Sequence, residues 1–320
     1  MPESIVLDSR WFAPESVSAE TASFNAQVEE MLAKAPPLHE QTPEQVRAAR
    51  ELGQGTFGPV IRSDLATERT VPGPAGDVPV RLLIPDTVKG VYLHIHGGGW
   101  VLGRAEEQDA RNEQIARDCQ VAVVSVDYRL APEHPYPAGP DDCEAVALWL
   151  AEHAKAEFGS DRLIIGGESA GAHLAVVTLV RLRSRHDFTG FAAANLVYGV
   201  YDLAQTPSAA NWGERNLILS TPLIHWFADH FVPPAKRRDP DVSPLYADLR
   251  RLPRALFTVG TLDSLLDDTL FMSARWVAAG NAAELAVYPG GSHAFDRFPI
   301  EIARQATARI DDFIRQAVAE

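Results

Sequence analysis

The sequence predicts an α/β fold, with a parallel sheet, helices on both of its faces and a helical cap over one end. Three observations predict it. From about residue 76, strand patterns alternate with helical ones. Residues 121–126 form a continuous apolar run, as a strand buried on both faces requires. Two stretches, 1–53 and 203–251, break the alternation and read as added segments.

Residues 80–84 read as a strand that stops at Pro85, and 90–95 as a second that runs into three glycines. Residues 106–119 are helical, 121–126 the buried strand, and 141–158 a long helix that Gly159 is placed to end. A strand over 162–166 leads to a helix over 170–183, and 191–200 is apolar enough for another buried strand. Strands over 255–259 and 283–288, each followed by a helix (265–279 and 300–318), complete the pattern. The N-terminal stretch offers helices over 20–35 and 43–52. The insertion 203–251 holds Trp212, Trp226, Phe227 and Phe231 and is too long for an ordinary connection. We read 1–53 and 203–251 as one cap over the carboxyl ends of the strands, where open α/β sheets bind ligands. Residues 54–202 and 252–320 then form the body.

Composition narrows the partners. The chain has 320 residues, 46% hydrophobic and 22% charged, enough for a large core. Its net charge of −14 repels phosphate backbones and anionic lipid, so neither nucleic acid nor a membrane surface is an expected partner. No run of about 18 apolar residues exists to span a bilayer. Met1–Glu20 lacks the apolar stretch of a secretory signal, so the expected compartment is the cytoplasm. Cys119 and Cys143 offer no disulfide framework and read as buried thiols. No cysteine and histidine cluster has metal-ligand spacing.

Gly167-Glu168-Ser169-Ala170-Gly171 follows a strand and opens a helix. In that setting a G-x-S-x-G pattern is a sharp turn that lifts the serine hydroxyl out of the sheet. Its glycines let strand and helix approach without a Cβ clash. Ser169 is therefore the candidate nucleophile. His96-Gly97-Gly98-Gly99-Trp100 ends the strand over 90–95 and leaves bare backbone N–H groups beside it. Acyl transfer needs such donors where the oxyanion forms, each worth about 3–4 kcal/mol of barrier. Ala170, the residue after the nucleophile, is the usual further donor. His96 leads the loop and is read as its anchor.

These blocks, with Asp127-Tyr-Arg-Leu-Ala-Pro-Glu-His-Pro-Tyr-Pro-Ala138 between them, resemble the hormone-sensitive-lipase-like (bacterial family IV) esterases. The resemblance covers roughly residues 75–320 and extends to the helical N-terminus. Two departures are Glu168, where an aspartate is most common, and Ala172, where a further glycine is common; neither touches a reacting atom. The resemblance implies the α/β-hydrolase fold with a mostly parallel eight-stranded sheet. It also implies an oxyanion hole of Gly98, Gly99 and Ala170, a preference for short acyl chains and, in many members, a homodimer.

Chain order in that fold is serine, acid, histidine. His293, in Gly290-Gly-Ser-His-Ala-Phe295, follows the strand over 283–288 and can reach the serine. His173 lies one helical turn past Ser169, His134 is in a proline-rich turn, His225 and His230 are in the insertion, and His39, His153 and His186 read as surface residues. Asp263 comes first after the strand over 255–259, with Asp267 one helical turn on; Asp202, after the strand over 191–200, is the rival acid. Asp263-Ser-Leu-Leu-Asp267 is similar to the family's Asp-Pro-Leu-x-x-Asp. Tyr128, Arg129 and Glu133 read as buried scaffold. Trp100, Trp212 and Trp226 are the candidates for lining the substrate pocket. The expected chemistry is hydrolysis of a small-molecule carboxylic ester through an acyl-enzyme, with no cofactor. The rivals are an amidase, arylformamidase or peptidase on the same scaffold, and a receptor on a dead hydrolase fold. Retention of Ser169, Asp263 and His293 argues against the receptor.

Overall fold

A computed structural model of the chain describes residues 5–319. Eight strands form one sheet: β1 Thr67–Val71, β2 Val78–Leu83, β3 Gly90–Ile95, β4 Val121–Val126, β5 Leu163–Glu168, β6 Phe191–Val197, β7 Arg254–Leu262 and β8 Ala283–Ser292. Their order is β1-β2-β4-β3-β5-β6-β7-β8. Strand β2 is antiparallel to both neighbours, and β3 to β8 pair in parallel. This is the α/β-hydrolase arrangement expected from the sequence.

Strand residues alternate between two cores, as a pleated sheet dictates. Val91, Leu93 and Ile95 of β3 enter one core with Ala122 and Val124 of β4; Tyr92, Val121 and Val123 enter the other. Helices α4 (Ala138–Phe158), α5 (Ala170–His186) and α8 (Leu266–Ala278) cover the first face. Helices α3 (Asp109–Cys119) and α9 (Glu301–Ala319) cover the second. Gly159 ends α4 at φ +80. Cys119 and Cys143 are buried free thiols. Among the described residues no helix is long and apolar enough to cross a membrane.

The structure departs from the sequence reading at several points. The edge strand β1 was not expected. Residues 106–119 begin as a tight turn over Ala105–Gln108 before α3 starts. Strand β6 ends at Val197, because Tyr198 turns to φ 36. Strands β7 and β8 run past 259 and 288 to Leu262 and Ser292, and that extension builds the site.

The two added segments face each other. In the first, α1 (Ala19–Leu32) packs on β8 and α9, and α2 (Pro43–Glu51) starts with a capping box between Thr42 and Gln45. Arg47 of α2 bonds the carbonyls of Val101 (2.9 Å) and Ala131 (2.7 Å) and pairs with Glu133 (2.6 Å). Glu133 is therefore exposed and tethers the N-terminal segment, whereas Tyr128 is buried scaffold and half-buried Arg129 grips Asp142. In the second segment, α6 is Pro207–Asn211 and α7 is Thr221–Phe231. It is fastened by Asp241, which accepts bonds from buried Arg181 (2.7 and 2.6 Å) and from Tyr136 (2.6 Å).

Candidate active site

Ser169 sits between β5 and α5 at φ 56, ψ −118, a conformation that side chains rarely adopt. Its N–H donates to Val197 O (2.9 Å), and its own carbonyl accepts from His173 N (3.1 Å). The flanking glycines are needed for space. A Cβ at Gly167 would lie 2.0 Å from Ile95 O, and one at Gly171 would lie 1.8 Å from it. The turn is thus pressed against the end of β3, directly beside the glycine loop.

The register of the last two strands brings the acid and base together. Leu262 is paired with Ser292, so the next residue of each strand, Asp263 and His293, leaves the sheet side by side. Gly260 permits this, since a Cβ there would lie 2.0 Å from Gly291 O. His293 Nδ1–H donates to Asp263 Oδ2 at 2.9 Å, and Ser169 Oγ–H donates to His293 Nε2 at 3.0 Å. Asp263 is buried, and its other oxygen accepts Leu265 N–H at 2.8 Å. The His293 ring meets Tyr198 edge-on at 4.7 Å, and the Tyr198 hydroxyl donates to Asp296 at 2.6 Å. The histidine loop is also held from the N-terminal segment, where buried Asn25 of α1 donates to Gly290 O at 2.8 Å.

Asp202 is engaged elsewhere, accepting from Tyr246 Oη (2.8 Å) and Ala204 N (2.8 Å). Asp267 accepts Ser208 N–H (2.8 Å) and so joins α8 to α6, a support role. Asp268 is buried under N–H groups of Tyr201 and Asp202 and the Thr206 hydroxyl.

Gly98 and Gly99 take φ +116 and +60 and line the same cavity as Ser169 and His293. Among the described residues their N–H groups have no hydrogen-bond partner. The loop is fixed from behind: Gly98 O accepts Leu102 N–H, and the Tyr128 hydroxyl donates to His96 O (3.0 Å). The His96 ring stacks on Tyr128 at 4.3 Å, and its Nδ1–H donates to Gly97 O at 2.8 Å, so it anchors the loop as expected. Burial holds His96 below the usual histidine range. Glu168, beside the nucleophile, contacts His94 Nε2 at 3.1 Å. Burial pushes its carboxyl up, but contact with His94 and the nearby charges of Arg297 and Arg111 leave it below the usual range.

The three tryptophans do not line this cavity. Trp100 is buried beneath the loop, stacked on Phe231 at 4.4 Å, with its N–H donating to His173 Nδ1 at 3.0 Å. Trp212 turns back on its own segment, donating to Arg215 O and stacking under that guanidinium. Trp226 packs on Phe227 and His230 beside Val46, Val101 and Leu102. The wall is instead made by Phe227 and Leu223 of α7, Ile218 and Leu219 before it, and Leu32, Leu38 and Val46 of the N-terminal segment. His39, read as a surface residue, also borders the cavity, whose volume is about 320 Å³. Arg50 and Arg297 border it as well and had no signal in the sequence. Phe227 did have one, because Leu223 and Phe227 lie four apart on one helix face. Among the described residues no group of three histidine, cysteine, aspartate or glutamate side chains could hold a metal ion.

A strained serine between two close-packed glycines, joined to a histidine and a buried aspartate in that chain order, defines a hydrolase of the α/β class. Residues 92–297 match the α/β-hydrolase fold family, and the chain belongs to it, within the hormone-sensitive-lipase-like branch. It is 37% identical to carboxylic ester hydrolase LipN of Mycobacterium tuberculosis, over 77% of this chain and 68% of the relative. It is 30% identical to the ethyl acetate hydrolase of Pseudomonas putida, over 75% and 78%. Among solved structures it resembles an esterase of the bacterial hormone-sensitive lipase family, with a TM-score of 0.80 and 30% identity over 94% of this chain and 99% of that one. The hyperthermophilic esterase of Pyrobaculum calidifontis matches with a TM-score of 0.83 and 29% identity, over 92% and 98%.

Proposed function

We propose that this protein is a carboxylesterase that hydrolyses short-acyl esters through an acyl-enzyme. The observation that carries the reading is the unbroken hydrogen-bond chain from Ser169 Oγ through His293 to Asp263 at the floor of a cavity. His293 Nε2 takes the hydroxyl proton as Oγ attacks the ester carbonyl. Asp263 keeps the proton on Nδ1 and stabilises the cation that forms. The N–H groups of Gly98, Gly99 and Ala170 receive the oxyanion. The alcohol leaves with the proton from His293, and water, activated by the same nitrogen, releases the acid. The names of the relatives support carboxylic esters as the substrate class. A cavity of about 320 Å³ lies at the small end for ligand sites and favours short chains.

The test is a series of nitrophenyl esters from acetate to palmitate, with Ser169→Ala alongside. Turnover should peak at short chains, and the variant should lose about 10⁴–10⁶ in kcat while keeping its fold. A variant with a tenth of the native rate, or a preference for palmitate over butyrate, overturns the reading.

A further inference from the structure

We propose that the part of the catalytic cavity bordered by Arg50 and Arg297 is a subsite for a carboxylate group of the substrate. The enzyme then takes esters that also carry a free acid. The proposal rests on the esterase reading above and deepens it.

Both arginines border the cavity that holds Ser169 and His293. They also border a second hollow of about 260 Å³ that continues from it past Phe57 and Glu107. In a chain with 43 acidic and 29 basic residues, acceptors for arginine are abundant. Other arginines use them: Arg81 forks onto Asp109, Arg129 onto Asp142 and Arg181 onto Asp241. Arg50 is held less closely: its buried Nη1 makes one long ion pair, to Glu107 Oε2 at 3.5 Å, and has no hydrogen-bond partner. Burial lowers the Arg50 pKa, the Glu107 carboxylate opposes this, and the neighbouring charge of Arg297 lowers it further.

Arg297 is exposed and has no hydrogen-bonded or ion-paired acceptor among the described residues. Its guanidinium lies 4.1 Å over the Phe57 ring, and Phe57 stacks on Phe298 at 5.8 Å. A guanidinium held on a ring is fixed in place but keeps its donors free. Gly55 leaves room for the Arg50 side chain, since a Cβ there would lie 3.2 Å from Arg50 Cγ. The acids nearby are already engaged: Glu168 with His94 and Asp296 with Tyr198, while Arg111 is paired with Asp311. What remains is Arg50, with a single long pair to Glu107, and Arg297, with no acceptor among the described residues, both bordering the cavity. Guanidiniums recognise a carboxylate through paired N–H···O bonds, and a loosely paired Arg50 beside an unpaired Arg297 can offer them.

The experiment compares each carboxylate ester with its primary amide, which has the same shape and no charge. Monomethyl succinate, glutarate and adipate carry the acid on the acyl side; 3-acetoxypropanoate carries it on the alcohol side. In the native enzyme at least one pair should show a carboxylate-to-amide ratio in kcat/KM above about tenfold, expressed in KM, as a charge-assisted pair implies. Added salt should lower the ratio. Arg297→Gln should lower it by about tenfold, Arg50→Gln should lower it too, and Arg297→Lys should keep part of it. A native ratio near one for every pair overturns the subsite, whether or not any variant folds. So does a high ratio that survives both glutamine variants. If nitrophenyl acetate is turned over in those cases, the esterase reading stands; if no ester is turned over, that reading fails instead.

Discussion

Phe227 of α7 lies directly over Gly99 of the glycine loop, and a Cβ added at Gly99 would come within 2.1 Å of Phe227 Cδ1. The loop that offers oxyanion donors and the wall that bounds the substrate are therefore in one contact. Gly99→Ala should push the two apart and also strain a backbone at φ +60. We expect kcat to fall by about 10²–10³, the loss typical of one missing oxyanion donor. Adding Phe227→Ala should recover only part of it, because the strain remains. Full recovery, or no loss in the single variant, would separate the loop from the chemistry.

Phe227→Ala alone should move the chain-length optimum towards longer acyl groups, since Phe227 lines the cavity. Trp226→Ala should not, because that ring faces Val46, Val101 and Leu102. It should lower stability by about 1–3 kcal/mol, since the half-buried ring leaves a partly open void. A shift in chain-length profile with Trp226→Ala and none with Phe227→Ala would reverse the assignment of the two faces of α7.

Asp263→Asn should lower kcat by about 10⁴, as loss of a buried acid leaves the histidine in the wrong tautomer. Asp202→Asn should leave kcat close to native, because Asp202 bonds Tyr246 and Ala204 rather than His293. Steady-state rates of the two variants on acetate decide the matter; a larger loss in Asp202→Asn would remove Asp263 from the site.

Two buried groups should give stability opposite slopes with pH. His173 donates Nε2–H to Val242 O and accepts from Trp100 at Nδ1, and burial holds its pKa down at about 4. Its folded value lies below the ordinary 6.5. Its contribution is thus present above about pH 6.5 and is lost as pH falls towards about 4. Asp268 behaves the other way. Burial pushes its pKa up to about 7 from 3.8, in spite of the donors around it. The folded chain then holds that proton more tightly, so stability falls as pH rises from about 4 to about 7. Urea midpoints should show Asp268→Asn gaining on the native protein as pH rises from about 5 to about 7.5. His173→Gln should gain on it as pH falls over the same range. A pH-independent offset in either variant would contradict the corresponding sign.

Much of the fold and of the triad was legible in the sequence because sterics wrote it there. The G-x-S-x-G pattern marks Gly167 and Gly171 as points of close approach, and the fold supplies the atom they avoid, Ile95 O. The strand β4 announces itself because both of its faces are buried. Strand β1, Thr-Glu-Arg-Thr-Val, does not: four of its five residues are exposed, so no apolar period marks it. The pocket wall was hidden for a different reason. Aromatic type predicts burial, and burial does not say against what. Trp100, Trp212 and Trp226 all found packing partners away from the substrate space, while Leu32, Leu38 and Arg50 reached it from a segment more than 100 residues distant from Ser169.

The attachments of the N-terminal segment have a consequence for exchange. Arg47 ends on the main-chain oxygens of Val101 and Ala131, and Asn25 ends on that of Gly290. A carbonyl oxygen is present whatever side chain its residue bears, so these docking points survive sequence drift on the receiving surface. Glu133, Glu107 and Arg215, the ion-pair partners of Arg47, Arg50 and Glu29, are the receiving residues specific to type. The front wall is in this sense an interchangeable part. Segments from other members of the family that keep the asparagine and arginine at these two positions, and charges that match Glu107 and Arg215, should seat on this body, and chimeras joined near residue 60 would vary the shape of the chamber while the reacting atoms stay untouched.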